Sequence, residues 1–501
     1  MTELGVTEKN SLMDKECPQK AFASLRGGGS SVHDLYRWED RLWLGLNGDA
    51  AIRARCWQED GPWSRLAEQG LMPAKQKGEG FLPRIEFAIP LEDDLLPLRL
   101  NEISSVMLQN AAVVILKTAI ILDDEGWALN YLEPGQLVFD TTGRPLFIGI
   151  SAIDKKSNRK FPFADFAEFF LAPLEMVARQ PGLATLLHRA GRLDLSEYMG
   201  LTLPRFSSAI RWASSRPRLR RSTSVIKQLL TQSPFAGFFY TGQYVRMMRE
   251  IFREWRYRRQ HNEPADAPWI GKLLRSLLNR IEWLGMDRVT GKWTDYHTRH
   301  SVHEICRAGK EWKKHFEGPR PRQIMAVLEQ EPKGTLLDLG ANQGYFSFLA
   351  SQLGFQVTAL DTDMGAIDRL YSALVENGHP QCVRPAVVDF TRLNPGERDR
   401  FVSDVVLALG FTHHMRLVEQ LSWSEIAETL AGLTHRLLIT EFKLNTYAQS
   451  GQTKTDPFVA TDYTLENFMT ALKAHFADVQ LGEITQQDEW GGKRQLILCR
   501  K

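Results

Sequence analysis

The run Gly334-Thr-Leu-Leu-Asp-Leu-Gly-Ala-Asn-Gln-Gly-Tyr-Phe-Ser347 decides the fold of the C-terminal third of the chain. Its apolar start predicts a buried strand, its glycines predict a turn, and the residues after the turn predict a helix. A dinucleotide fingerprint would need glycine at Asn342 and Tyr345, and a P-loop would need a Gly-Lys-Ser/Thr ending. Neither is present, so the loop predicts another nucleotide-type ligand.

Strand-like and helix-like segments alternate after this run. Strands are predicted at 355–360, 383–388, 402–409 and 436–440, helices at 424–433 and 465–475, and a closing strand pair at 479–484 and 494–499. Polar or glycine residues follow the first four of these strands: Asp361, Asp389, Gly410 and Glu441. In open parallel sheets ligands bind beyond the carboxyl ends of the strands. The pattern therefore predicts an α/β domain with a ligand site at that edge.

Asp338, Gly340, Asn342 and Gly344 resemble motif I of class I S-adenosylmethionine-dependent methyltransferases, in the variant whose middle glycine is replaced. The resemblance covers roughly residues 330 to 500. It implies a Rossmann-like sheet of seven strands with a terminal antiparallel hairpin, and S-adenosylmethionine as cofactor. It also implies that Asp338 lies beside the cofactor's amino group, while the loop glycines let the backbone approach its methionine part.

A ribose-binding acid is expected about 20 residues after the first loop glycine, which is where Asp361 stands. Family members usually place an acid and an apolar residue around the adenine, at positions that match Asp389 and Phe390. The implied cofactor-binding residues are Asp338, Gly340, Asn342, Gly344, Asp361, Asp389, Phe390 and Leu409. The alternative is an α/β domain of the same pattern that binds no ligand.

The segment from Leu409 to Met415 resembles the double-His stretch of some glycan and natural-product methyltransferases. If the acceptor is a hydroxyl, a positioned base can contribute roughly 10²–10⁴-fold to its methylation. His413 and His414 are the candidates, and since adjacent helical side chains point about 100° apart, one of them faces the pocket. His413 is favoured; the alternative is that both only shape the cofactor pocket. A pair of histidines is too few ligands for a metal site, and no zinc spacing is present.

Three further features are candidates for the site. Glu441 either lines the pocket or caps a turn. The segment 446–463 is either a lid or a connector. It contains Tyr447, Asp456, Asp462 and Tyr463. In similar enzymes an aromatic and basic segment upstream of motif I folds over the cofactor. That resemblance implies contacts from Trp293, Tyr296 and Arg299, with packing as the alternative for Trp293.

Composition is typical of a soluble globular protein. With 501 residues, 43% hydrophobic and 24% charged, the chain is long enough for two or three domains and is not disordered throughout. Five scattered cysteines do not suggest a disulfide framework, so a cytoplasmic location is predicted. No secretory signal is expected at the N-terminus. The apolar segment 106–122 contains Lys117 and is short for a membrane span, which favours a buried helix.

The predicted domains are a flexible tail at 1–31, an α+β domain at 32–160, a helical region at 161–290 and the methyltransferase domain at 291–501. The segment 126–151 resembles a kinase-like companion region of some bacterial methyltransferases. Those relatives carry Asp, Asn and Asp where Tyr131, Gln136 and Gly149 stand here. The acids that would hold Mg²⁺ are then missing, which favours substrate binding or scaffolding over phosphotransfer.

Net charge is +2, but residues 205–259 carry thirteen Lys or Arg and two Glu. Such a stretch could bind phosphates of RNA, a nucleotide sugar or a lipid. Apolar residues at helical spacing within it favour a solvated helix face. No RNA-binding signature accompanies it.

The resemblance implies a bacterial methyltransferase that acts on the hydroxyl of a sugar, glycan or secondary metabolite, with the N-terminal region helping to select this small-molecule or glycan acceptor. The second hypothesis is an RNA or protein methyltransferase that uses the basic 205–259 face. The third is a non-catalytic scaffold that binds S-adenosylmethionine. Oligomeric state is not predicted.

Overall fold

The structure is a computed structural model. It describes residues 19–22, 33–38, 41–46, 62–73, 87–90, 95–155, 161–179, 268–286, 289–291, 294, 302–307, 311, 313–314, 318–444, 461–486 and 493–501. The chain divides into two compact units. Unit 1 comprises Met1–Asp140 and Pro145–Val289, and unit 2 comprises Thr141–Arg144 and Thr290–Lys501.

The described part of unit 1 contains several short strands. Its described strands are β1 (Gln19–Phe22), β2 (His33–Trp38), β3 (Arg41–Leu46), β4 (Phe87–Pro90), β5 (Leu96–Pro97), β6 (Trp127–Leu129), β7 (Leu137–Phe139), β8 (Pro145–Phe147) and β9 (Ile153–Lys155). They pair as the sheets β1-β2-β3-β4, β5-β7-β8 and β6-β9. The strands β7 and β8 pair antiparallel on either side of residues 140–144.

Helices complete unit 1. They are α1 (Trp63–Glu68), α2 (Ser105–Asp124), α3 (Phe163–Phe166), α4 (Ala172–Arg179) and α5 (Pro268–Glu282). One-turn 3₁₀ helices lie at Leu100–Glu102, Pro134–Gln136 and Ile150–Ala152. Gln109 on α2 donates hydrogen bonds to the carbonyls of Ile281 (2.7 Å) and Leu284 (2.9 Å), which holds α2 beside the end of α5.

Helix α2 is long and apolar enough, by length and composition, to cross a membrane. In the structure 61% of its most apolar stretch is buried inside the protein, with Ala111, Ala112 and Leu116 fully enclosed. A core helix passes the same length and composition test, so the helix is weak evidence for a span. Its burial agrees with the predicted buried helix at 106–122.

A π-helical turn interrupts the helical segment from Phe163 to Arg179. It covers Ala167–Leu171, between α3 and α4. The consecutive residues Phe169, Phe170 and Leu171 are all buried. The π-helical turn thus lies within the buried part of this helical segment.

Unit 2 is built on one seven-stranded sheet. Its strands are β10 (Thr335–Leu339), β11 (Gln356–Asp361), β12 (Val383–Val387), β13 (Ser403–Ala408), β14 (Thr434–Lys443), β15 (Asp478–Gln486) and β16 (Lys493–Arg500). They lie in the order β12-β11-β10-β13-β14-β16-β15. Strands β10 to β14 are parallel, and β16 pairs antiparallel with both β14 and β15. The predicted α/β fold with a terminal hairpin is confirmed.

Helices cover this sheet. They are α6 (Val302–Arg307), α7 (Pro319–Gln330), α8 (Tyr345–Gln352), α9 (Met364–Glu376), α10 (Pro395–Arg398), α11 (Thr412–Leu417), α12 (Trp423–Leu433) and α13 (Leu465–Lys473). One-turn 3₁₀ helices lie at Phe390–Arg392 and Asp399–Phe401. The inner strands are buried along nearly their whole length, as expected for a parallel sheet covered on both faces.

Candidate cofactor and active site

The chain reverses its direction across the sheet at β10. From β10 it proceeds to β11 and β12 on one side, and it returns to β13 and β14 on the other. The chain therefore leaves β10 and β13 toward opposite sides of the sheet. Such a switch point is where open α/β sheets bind ligands. The loops after β10 and β13 also touch, since a Cβ built on Gly340 would lie 2.9 Å from Cδ1 of Phe411. The carboxyl edge at β10 is thus the candidate site.

The loop after β10 has a left-handed backbone at Gly340 (φ +66°), Asn342 (φ +51°) and Gly344 (φ +83°). Glycine adopts this conformation at little cost, and asparagine tolerates it better than most residues. A Cβ on Gly344 would lie 2.5 Å from Cδ1 of Leu370, so the packing of this loop against α9 already requires glycine there. The backbone conformation of the loop therefore favours glycine or asparagine at these three positions.

Asp338 lies in β10 and is 3% exposed. Its Oδ2 accepts a 2.6 Å hydrogen bond from the Ser347 hydroxyl on α8. Burial raises the pKa of Asp338 to about 7, although the Ser347 hydrogen bond opposes the rise. A nearby cation would stabilise the ionised form of this carboxyl.

Asp361 ends β11, the strand beside β10. Its two carboxyl oxygens accept backbone hydrogen bonds from Asn342 (2.8 Å) and from Asp363 (2.8 Å). Burial raises the pKa of Asp361 to about 6, against the effect of these hydrogen bonds. A backbone hydrogen bond from Thr362 also lowers its pKa, so three of the four lone pairs are engaged and one can still accept a hydrogen bond from a ligand.

Asp389 and Phe390 follow β12. Asp389 accepts hydrogen bonds from the backbone and the hydroxyl of Thr391, so its carboxyl caps the 3₁₀ helix that begins at Phe390. The Phe390 ring packs edge-on against Phe411, with ring centroids 5.4 Å apart. Leu409, directly after β13, is buried. Phe390 and Phe411 therefore form one apolar contact across the loops after β12 and β13.

His413 and His414 lie in the first turn of α11, and their rings are 4.1 Å apart. His413 is 4% exposed, and its buried Nδ1 has no hydrogen-bond partner among the described residues. Burial, followed by the positive charges of His414, Lys443 and Arg494, lowers the pKa of His413 to about 2. His414 is only partly buried. The two neighbouring imidazoles therefore occupy different environments.

Glu441 lies inside β14, which extends three residues beyond the predicted end at Thr440. Its carboxyl is 2% exposed and accepts hydrogen bonds from Arg320 at 2.6 and 2.7 Å. Arg494 lies 3.9 Å away. Burial acts to raise the pKa of Glu441, but Arg320, Arg494 and the backbone of Gly410 together outweigh it and hold the pKa below its usual range. The backbone of Gly410 also hydrogen-bonds this carboxyl, which ties Glu441 to the loop after β13.

Asp462 and Tyr463 are the two residues singled out in the predicted loop 446–463 that the structure describes. Asp462 pairs with Arg416 of α11 at 2.8 Å. Tyr463 is buried, stacks on Phe442 with centroids 4.7 Å apart, and donates a hydrogen bond to the carbonyl of Lys443. These contacts anchor the end of the loop. Tyr447 and Asp456 lie outside the described residues, as do Trp293, Tyr296, Arg299 and the basic stretch 205–259.

Unit 1 brings together two of the three positions that the kinase-like resemblance singles out. A Cβ built on Gly149 would lie 2.8 Å from Cδ of Gln136 and 2.5 Å from Cζ of Phe147. Gln136 is fully buried, and its Oε1 accepts a hydrogen bond from the backbone of Glu133. There is no room for an aspartate at Gly149, and a buried glutamine offers no charge to a cation. These residues do not fit Mg²⁺.

Among the described residues, no group of three or more His, Cys, Asp or Glu could hold a metal ion. The cysteines within the described ranges, Cys306, Cys382 and Cys499, are free thiols.

Four residues near the site were not singled out from the sequence: Thr294, Arg320, Ser347 and Phe411. Ser347 ends the quoted run and lies nine positions after Asp338, so its spacing on the first helix turns could have been used. Arg320 meets Glu441 across 121 positions of sequence, for which no local signal exists. Thr294 stands in the predicted upstream segment, where only the aromatic and basic residues were considered.

Comparisons with known proteins yield short or distant similarities. No protein-family model matches the chain. Nodulation protein NoeA of Rhizobium meliloti (strain 1021) is 31% identical over 111 residues, which are 20% of this chain and 23% of that protein. The chain thus spans less than a quarter of this curated relative.

Two solved structures illustrate the structural similarities. The bifunctional kinase-methyltransferase WbdD is 19% identical, with 38% of this chain and 41% of that chain covered and a TM-score of 0.28. Magnesium protoporphyrin IX methyltransferase (ChlM) from Synechocystis PCC 6803, with bound SAH, is 14% identical, with 40% and 97% covered and a TM-score of 0.29. Similarities this low carry no inference about activity.

Three features define the fold of unit 2: the strand order, the left-handed glycine loop after β10 and the acid at the end of β11. It is the fold of a class I S-adenosylmethionine-dependent methyltransferase, with a mostly parallel seven-stranded sheet and a terminal antiparallel hairpin. The resemblance drawn from the sequence is confirmed at this level.

Proposed function

We propose that unit 2 binds S-adenosylmethionine and transfers its methyl group to a hydroxyl of a sugar, glycan or secondary metabolite. One observation carries the proposal. Asp338 and Asp361 lie on the neighbouring strands β10 and β11, Asp361 at the carboxyl end of its strand, beside the switch point of the sheet. Both acids have raised pKa values that a cationic, hydroxyl-bearing ligand would bring down.

The residues at this edge suit the parts of the proposed cofactor. A carboxylate at Asp338 complements the ammonium of the methionine portion. The remaining lone pair of Asp361 can accept a hydrogen bond from a ribose hydroxyl. The contact between Phe390 and Phe411 offers an apolar surface for adenine. The cofactor supplies an activated methyl group on sulfur, and the protein holds the acceptor in line with it.

His414 is the better candidate for the base that receives the acceptor's proton. The burial of His413 and its low pKa disfavour proton uptake by that imidazole. His414 is partly exposed in the same helical turn, directly after the loop that follows β13. His413 then serves as packing beneath it. The hydroxyl acceptor itself is supported by the resemblance of the segment 409–415.

Calorimetric titration of the full-length protein with S-adenosylmethionine tests the cofactor. We expect binding by the natural sequence and markedly weaker binding by Asp361→Ala, because the ribose contact is lost. Titration with ATP and Mg²⁺ serves as the negative control. Absence of any heat with S-adenosylmethionine would refute the proposal, and unchanged affinity of Asp361→Ala would refute the ribose assignment.

Incubation with labelled S-adenosylmethionine and a cell extract tests the acceptor. Label in a glycan or small-molecule fraction supports the proposed class. Label in RNA or protein, with nucleic-acid binding that weakens steeply with salt, would favour the alternative based on residues 205–259. Cofactor binding without any labelled product would favour the scaffold.

A further inference from the structure

Thr294 is fully buried and joins four hydrogen bonds. Its hydroxyl accepts from the backbone N–H of Gly291 at 2.7 Å and donates to Oδ1 of Asp363 at 2.8 Å. Its carbonyl accepts from the Gln343 side chain and, at 3.2 Å, from Nη1 of Arg369. We call this group the Thr294 clasp.

The clasp connects the two loops of the candidate cofactor site. Gln343 belongs to the glycine loop after β10, and Asp363 belongs to the loop after β11. Thr294 reaches the first loop with its carbonyl and the second with its hydroxyl. A single residue, 49 positions before Gln343 in sequence, thus fixes both loops from outside the sheet.

Asp361 ties the same two loops from the other side. Its Oδ2 accepts from the backbone of Asn342 in the glycine loop, and its Oδ1 accepts from the backbone of Asp363. Asp363 is therefore shared: its backbone holds Asp361, and its carboxyl holds Thr294 while also capping helix α9 at Ala366. Movement of Asp363 would shift the carboxyl proposed to bind ribose.

Gly291 packs closely on the side chain of Asp363. A Cβ built there would lie 2.2 Å from both carboxyl oxygens of Asp363. The backbone of Gly291 therefore packs directly on the carboxyl of Asp363, to which Thr294 donates its hydrogen bond. Close backbone approach of this kind requires glycine.

We propose that Thr294 is a positioning residue for the cofactor: it touches no part of the ligand and sets the geometry of Asn342 and Asp361 through Gln343 and Asp363. The proposal rests on the proposed function of the site. Loops held in the binding geometry before the ligand arrives lose less conformational freedom on binding, so the clasp raises affinity through preorganisation.

The test compares Thr294→Val with Thr294→Ser in the full-length protein by calorimetric titration with S-adenosylmethionine. Valine keeps the shape of threonine but removes the hydroxyl, whereas serine retains it. We expect the dissociation constant to rise by up to about tenfold for Thr294→Val, because one lost hydrogen bond bounds the preorganisation that can be lost, and to change less than about twofold for Thr294→Ser.

A second measurement separates positioning from general stability. In steady-state assays, Thr294→Val should raise KM for S-adenosylmethionine and leave KM for the acceptor unchanged. Gln343→Ala provides an independent variant if Thr294→Val does not fold. It should also weaken the binding of S-adenosylmethionine. Equal affinity of the natural protein and both variants would overturn the proposal. Absence of binding by the natural protein would instead refute the proposed function.

Discussion

The hydroxyl of Ser347 donates a 2.6 Å hydrogen bond to Oδ2 of Asp338, and this contact opposes the burial that raises the pKa of the carboxyl to about 7. The protonation of Asp338 therefore changes near neutral pH. If the ionised carboxyl binds the cofactor's ammonium, affinity is highest above this pKa and falls as the pH is lowered through it. The effect of Ser347 on the pH dependence of cofactor affinity can be measured.

Ser347→Ala should move the pH midpoint of cofactor affinity upward, because a hydrogen bond to the ionised form is lost and the pKa of Asp338 rises further. Calorimetric dissociation constants between pH 5.5 and 9 would show the displacement. Ser351→Ala is the matched control, since Ser351 lies on the same helix and accepts a hydrogen bond from the backbone of Cys382 instead. Equal midpoints for Ser347→Ala and the natural protein would exclude Asp338 as the titrating group.

Cofactor binding should release protons at neutral pH. At pH 7, ionisation of Asp338 would release about half a proton and that of Asp361, with a pKa of about 6, roughly a tenth. Titrations in phosphate and in Tris should then differ in apparent enthalpy, and the difference should vanish near pH 9. The same enthalpy in both buffers at pH 7 would mean that neither carboxyl changes its protonation on binding.

Gly340→Ala should reduce cofactor binding, because its Cβ would lie 2.9 Å from the Phe411 ring and would force apart the loops after β10 and β13. Gly354→Ala is the control. Both glycines have positive φ, so both variants should lose about 1–2 kcal/mol of stability, but the space around Gly354 is open apart from Lys333 Cγ at 3.9 Å. Calorimetry and thermal unfolding would separate the two effects. Equal affinities would argue that the loop contact has no part in binding.

Glu441→Gln should destabilise unit 2. Removing one charge of a buried pair leaves the other uncompensated, and such changes cost about 3–5 kcal/mol in the free energy of unfolding. Glu311→Gln is the control, because its ion pair with Lys314 is about 70% exposed on both sides and should contribute little. Urea unfolding would measure both. A stable Glu441→Gln protein with reduced turnover would instead place this carboxyl in the acceptor pocket.

His414→Ala should lower kcat by at least about 100-fold with little change in cofactor affinity, whereas His413→Ala should mainly reduce stability through the cavity it leaves. Single-turnover methyl transfer and calorimetry on both variants would distinguish the roles. The reverse result, with turnover lost in His413→Ala alone, would return the base to the buried imidazole.

The fold of unit 2 could be predicted because its signals are local. Strand β12, predicted at 383–388, forms at Val383–Val387, and helix α12, predicted at 424–433, forms at Trp423–Leu433. Each is an apolar run bounded by turn or capping residues, such as Ser422 before α12. Strand β14 was predicted too short because Glu441 and Phe442 pair with Leu496 and Gln495 of β16, a distant partner that local sequence does not reveal.

The candidate site was predicted only in part. The glycine loop and Asp361 stand in one short stretch of chain, so motif spacing was enough to find them. Thr294, Arg320 and the different burial of His413 and His414 depend on contacts between residues far apart in sequence. No periodicity encodes such contacts, and they required coordinates.

The position of the Thr294 clasp also matters for the expression of unit 2 by itself. A fragment that begins at Gly318, just before helix α7, would contain every strand of the seven-stranded sheet and yet lack Thr294 and Gly291. Such a fragment would lack the hydrogen bonds by which Thr294 holds the loops after β10 and β11. A recombinant version should therefore keep Gly291 and Thr294, and a fragment that starts close to Thr290 still lacks Thr141–Arg144, which also belong to unit 2.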